Sequence, residues 1–106
     1  MTETPATELS AEDRKLVTLA RATRARTQAA EGAAVRDLDG RTYAAATVDL
    51  PSLQISAVGV CIAMAVASGS KGLDAVVLLT DTGLAEADSA ALGDFGARQV
   101  LVNPGR

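Results

Sequence analysis

Very few side chains in this sequence could carry out chemistry. There is no histidine, which removes the commonest general base and the commonest metal ligand together and excludes Ser-His-Asp, Cys-His and HExxH arrangements. The one cysteine, Cys61, lies among apolar neighbours, where a thiol packs as a small hydrophobe. An enzyme of some other class would have to be built from Asp49, Asp88, Ser56 and Cys61. Such residues are more often structural. The run S-G-S-K-G at residues 68–72 resembles a phosphate-binding loop in composition, but it follows a helical segment and precedes a strand, the reverse of the order that loop requires. It reads as a helix cap and turn.

The elements that must position these residues are organised around residues 56–69, S-A-V-G-V-C-I-A-M-A-V-A-S-G, the only long stretch without charge. It falls short of the roughly 20 apolar residues needed to cross a bilayer, so it predicts a buried central helix. That helix is placed at residues 53–68, with Pro51 and Ser52 at its start and Gly69 as its left-handed cap. At 106 residues the chain is one domain, with residues 1–9 as a flexible tail and 10–106 folded. One Phe, one Tyr and no Trp leave the core to Ala, Val, Leu and Ile and provide no aromatic platform for bases. Neither a signal peptide nor a membrane span is legible, so a cytoplasmic protein is expected.

Ser10 opens S-A-E-D, the spacing of a capping box, and apolar or small residues follow at helical spacing to about Glu31. The opposite face of this helix holds Arg14, Arg21 and Arg24, flanked by Lys15 and Arg26. On a chain of net charge −3 this is either a solvated face or a docking strip for RNA phosphate or an acidic protein. Asp39-Gly40 between two short apolar runs predicts a type I′ hairpin pairing 33–37 with 42–48. Residues 75–80 read as a buried strand, 84–95 as a helix capped by Asp81 or Thr82, and 99–102 as a last, parallel strand. The order is α-β-β-α-β-α-β.

In order of elements and in local sequence, this chain resembles the cytidine deaminase family over most of its length. G-A-A-V-R-D-L-D-G-R-T-Y at residues 32–43 and A-V-A-S-G at 65–69 are similar to that family's strand-turn-strand unit and to the end of its metal-site helix. The resemblance implies an α/β three-layer sandwich with a mixed four-stranded sheet in the order 2-1-3-4, truncated at the C-terminus. It also implies where a zinc site would lie, with the first ligand on Ser56, the proton-shuttling Glu on Val58, and the paired cysteines on Ala85 and Asp88. A serine hydroxyl, two apolar side chains and one carboxylate do not rebuild it. The ribose-gripping motif falls on Thr47 and Asp49, and the base-stacking aromatic on Ala29.

These positions imply a pseudoenzyme with no catalytic residue, no metal and no cofactor, acting as an interaction or regulatory module. The alternative is residual nucleoside or small-ligand binding at the former site. The expected partners are further copies of the chain, as a dimer or tetramer, and a protein or RNA on the basic face of the first helix. The last strand is expected to present an open edge.

Overall fold

The computed structural model describes residues 2–3 and 9–105. In chain order the elements are β1 (Thr2–Glu3), α1 (Ala11–Thr27), β2 (Gly32–Asp37), β3 (Thr42–Ala46), β4 (Val48–Leu50), β5 (Leu53–Ile55), α2 (Ala57–Ala67), β6 (Leu73–Leu79), α3 (Glu86–Phe95) and β7 (Gln99–Asn103). The sheet runs β1-β7-β6-β2-β3, in which the four strands β3, β2, β6 and β7 stand in the order the sequence implies. β2 is antiparallel to both neighbours, and β6 is parallel to β7.

Ser10 caps α1 by accepting a hydrogen bond from the Asp13 amide at 3.1 Å. The helix stops at Thr27 rather than near Glu31 because Gln28 adopts a left-handed conformation and bonds back to Ala25. Leu16 and Ala20 pack with Ala34, Ala75, Val77, Leu79 and Leu101 on one face of the sheet. Contact there is close enough that a Cβ at Gly32 would collide with the Ala20 carbonyl oxygen. Arg36, largely buried in β2, ties this layer together by bonding to Asp13 at 2.8 Å and Asp74 at 3.0 Å. Burial alone would lower its pKa, but the two carboxylates raise it. On the other face Ala33, Val35, Val76 and Leu78 pack with Val58, Cys61 and Ala65 of α2 and Leu92 of α3. Alternate residues of each strand thus serve opposite layers.

Several further expectations need correction. Leu38, Asp39 and Gly40 form a three-residue loop, not a two-residue type I′ turn: the Gly40 amide donates to the Asp37 carbonyl at 3.1 Å, and Gly40 alone among the three has positive φ. The Asp37 carboxylate holds this wider loop by accepting the Asp39 and Arg41 amides, each at 2.9 Å.

Residues 53–55 are not the first turn of the central helix. They form β5, which pairs with β4 as a separate two-stranded sheet around Pro51 and Ser52. α2 starts only after Ser56, whose hydroxyl accepts the Gly59 amide at 2.9 Å. Similarly, α3 is capped by Ala85 rather than by Asp81 or Thr82.

At the far edge β1 pairs with β7 through Thr2 opposite Gln99 and Glu3 opposite Val100, so part of the edge expected to be open is covered. Residues 1 and 4–8 of the expected tail lie outside the described residues, and Leu9 packs against the α1 side of the core. Among the described residues no helix is long and apolar enough to cross a membrane.

Candidate functional site

The N-termini of α2 and α3 are joined by one side-chain bond. Ser56, the cap of α2, donates its hydroxyl proton to Asp88 Oδ1 at 2.7 Å while its oxygen accepts the Gly59 amide. Asp88 stands in the first turn of α3, where a carboxylate is favoured by the helix dipole. Ala85, the cap of α3, contributes no side-chain hydrogen bond. Val58 is fully buried in the apolar cluster beneath. Ser56, Ala85 and Asp88 therefore stand at the two helix starts, and Val58 is the second residue of α2, buried within its first turn.

These residues do not fit zinc. The set contains neither thiolate nor imidazole, its hydroxyl is committed to Asp88, and among the described residues no group of three or more His, Cys, Asp or Glu could hold a metal ion. An alkyl side chain at Val58 can neither take up nor release a proton.

A cavity of about 570 Å³ lies between α1, the turn before β2 and the turn after β6, and neither Ser56 nor Asp88 lines it. Ala29 and Thr47 line it, whereas Asp49 is exposed on β4 opposite Gln54 and does not reach it. Glu31 enters its wall with one carboxylate oxygen accepting the Thr80 hydroxyl at 2.8 Å. Sequence reasoning missed Glu31, Thr80 and Thr82, because nothing in local spacing marks residues that only tertiary folding brings together.

The basic residues of α1 do not form one free strip. Arg21 Nε donates to the Gly105 carbonyl at 3.1 Å, and Arg24 donates to the carbonyls of Pro104 and Ala30, each at 2.7 Å. Arg14 reaches the Leu9 carbonyl at 3.2 Å, and Lys15 pairs with Glu12 at 3.2 Å. Arg26 is exposed.

With the fold and the site in view, comparison with known proteins decides the family. The profile described as cytidine deaminase-like matches residues 9–105. The chain belongs to the cytidine deaminase-like family. In structure it is similar to the cytidine deaminase of Mycobacterium leprae, with a TM-score of 0.72 and 21% identity over 90% of each chain. It is also similar to a point mutant of the Mycobacterium tuberculosis cytidine deaminase, with a TM-score of 0.72 and 19% identity over 88% of this chain and 85% of that one. The cytidine deaminase of Burkholderia pseudomallei gives a TM-score of 0.63 and 20% identity over 76% of this chain and 72% of that one. At these identities the likeness establishes the fold. No curated protein matches the sequence.

Within this cytidine deaminase-like fold the cysteine is a core residue, with Cys61 fully buried in α2. Burial pushes its thiol up to about 12. Because the unfolded thiol titrates near pH ~8.5, the raised folded value gives a contribution that is fully present below that pH and is lost as pH rises toward 12. The urea midpoint should therefore fall steeply between those values, and Cys61→Ala should flatten that alkaline limb while lowering stability at neutral pH. Parallel curves for the two proteins would refute the assignment.

Proposed function

We propose that this chain is a zinc-free, non-deaminating member of its family that retains the fold as a binding module. The observation that carries the proposal is the Ser56–Asp88 hydrogen bond: it occupies the meeting point of two helix N-termini, with Val58 and Ala85 supplying no polar atom beside it. A hydroxyl already donated to a carboxylate is a poor start for a metal site. The cavity at the end of α1 is open, and its wall carries charged and hydroxyl groups, which favours small-ligand binding over docking of a macromolecule on α1. Four of the five basic residues expected to form that docking face make contacts within the chain.

Self-association belongs to the same proposal. α2 contains no charged residue, yet Ala63, Val66 and Ala67 are exposed on it, so a second copy could cover this face without bringing like charges together. The test is made on the purified protein. Metal analysis should find no stoichiometric zinc, cytidine and deoxycytidine should remain unconverted, and sedimentation should give a mass above the monomer that Val66→Glu returns to the monomer. One zinc per chain, or turnover of cytidine, would overturn the proposal.

A further inference from the structure

We infer that the cavity beside β6 binds a small ligand carrying an amino group at one end and an anionic group, carboxylate or phosphate, at the other. The inference rests on the binding-module reading and goes beyond it in naming the chemistry of the ligand. Neither of the two residues that carry it, Arg21 and Glu31, is a position that the family resemblance assigned.

The walls come first. Arg24, whose side chain is only 13% exposed, joins four separate parts of the chain: α1 itself, the Ala30 carbonyl before β2, the Pro104 carbonyl after β7, and Asp81 after β6 at 3.4 Å. Its charge is met by Asp81 and its hydrogen bonds by backbone. Arg24 is thus a positioning residue that holds the cavity in shape.

What remains for a ligand is one group of each sign. The backbone of Glu31 is held on both sides by Thr47, with the Glu31 amide donating to Thr47 Oγ1 at 3.0 Å and the Thr47 amide to the Glu31 carbonyl at 3.2 Å. Its Oε2 accepts the Thr80 hydroxyl, and Oε1 has no partner among the described residues. A fixed carboxylate with one oxygen free accepts a hydrogen bond from an amine or ammonium. Arg21 is fixed in turn by its Nε bond to Gly105, while its two terminal nitrogens have no partner among the described residues. That fork suits a carboxylate or phosphate in bidentate contact. Both residues line the same cavity, whose volume of about 570 Å³ falls in the usual range for small-molecule sites. It also lies at the C-terminal end of β6, where open α/β sheets place their ligands. A ligand with a single charge would leave Arg21 or Glu31 unanswered. One bearing both groups satisfies the pair.

The test is thermal shift followed by calorimetry on the intact protein. The probes with both groups are L-glutamine, L-glutamate and cytidine 5′-monophosphate. The probes lacking one are a simple amine, a simple carboxylate, uridine 5′-monophosphate, cytidine and inorganic phosphate. At least one probe of the first kind should bind, and its single-group counterpart should bind at least about tenfold more weakly. Arg21→Gln and Glu31→Gln should each weaken the bound probe by about tenfold or more while leaving the circular dichroism spectrum unchanged. Binding by the amino acids alone, or by cytidine monophosphate but not uridine monophosphate, identifies the source of the amino group, and either result supports the inference. No binding of any probe with both groups at millimolar concentration, or unchanged affinity in both variants, overturns it. Zinc or turnover found in the same preparation would instead overturn the reading on which it rests.

Discussion

Replacing Ser56, Ala85 and Asp88 together by cysteine should turn this chain into a zinc protein. Ser56 Oγ and Asp88 Oδ1 already meet at 2.7 Å, which places these two side chains on one point in space. Ala85 and Asp88 are three residues apart at the start of α3, so they share a face of the helix. Zinc–thiolate bonds of about 2.3 Å place tetrahedral sulfur ligands a little under 4 Å apart, a modest spreading of the present contact. Both helix N-termini would favour the thiolate form. Without metal, the triple variant should be less stable than the parent, since losing the Ser56 cap costs about 1 kcal/mol. With metal the order should reverse, because structural zinc contributes on the order of 10 kcal/mol. The measurement is zinc content of the reduced protein together with melting temperature before and after chelation. A reduced, folded triple variant that holds no zinc would mean that the two helix starts are not presented as described. Val58→Glu, added last, should lower stability in the metal-free state, since its carboxylate would enter a fully buried apolar cluster.

How much of this was legible in the sequence differs from element to element, for physical reasons. The capping spacing of Ser10 and Asp13 identified the start of α1, because a cap is a local hydrogen bond and needs only local residues. The order of the four central strands followed from the family resemblance and from parallel strands requiring a crossover. Leu53 and Ile55 misled, because a short apolar run beside a long one looks the same whether it pairs as a strand or continues as a helix. The cap at Ser56 was the available signal, and it lay hidden behind Pro51, which suits a turn as well as a helix start. Arg21 and Arg24 were read from their helical spacing as one outward face. Their bonds to Gly105 and Pro104 join residues 84 and 80 positions apart, and no periodicity reports such contacts. The candidate zinc positions were assigned by counting along the chain from the ends of two helices, and Ser56 and Ala85 do stand at helix starts because a helix end is a local feature. The cavity was not, because its polar groups come from four separate segments.

Asp37→Ala should be among the most damaging single substitutions in the chain. Asp37 is 1% exposed, and its carboxylate accepts the amides of Asp39 and Arg41, the hydroxyl of Ser70, and the Tyr43 hydroxyl at 3.4 Å. Removing it would leave a buried hydroxyl and two turn amides without an acceptor, for a loss of about 3–5 kcal/mol. For a domain of this size that corresponds to a fall in melting temperature of roughly 12–30 °C. Asp37→Asn should cost less, since an amide oxygen can still accept both backbone donors while its nitrogen turns toward Ser70. The same residue should shape the acid limb. Burial by itself would raise the Asp37 pKa, but the bonds from Ser70, Arg41 and Asp39 outweigh it and hold the group below the ordinary carboxylate value. A depressed folded pKa means that the contribution is complete above the unfolded value of about 3.9 and disappears as pH falls through the folded one. Denaturation midpoints measured from pH 6 downward, over a range of about 4 units, should therefore fall less steeply for Asp37→Asn than for the parent. Equal slopes would show that Asp37 is not held ionised by its turn, and the loop at Leu38, Asp39 and Gly40 would then need another anchor.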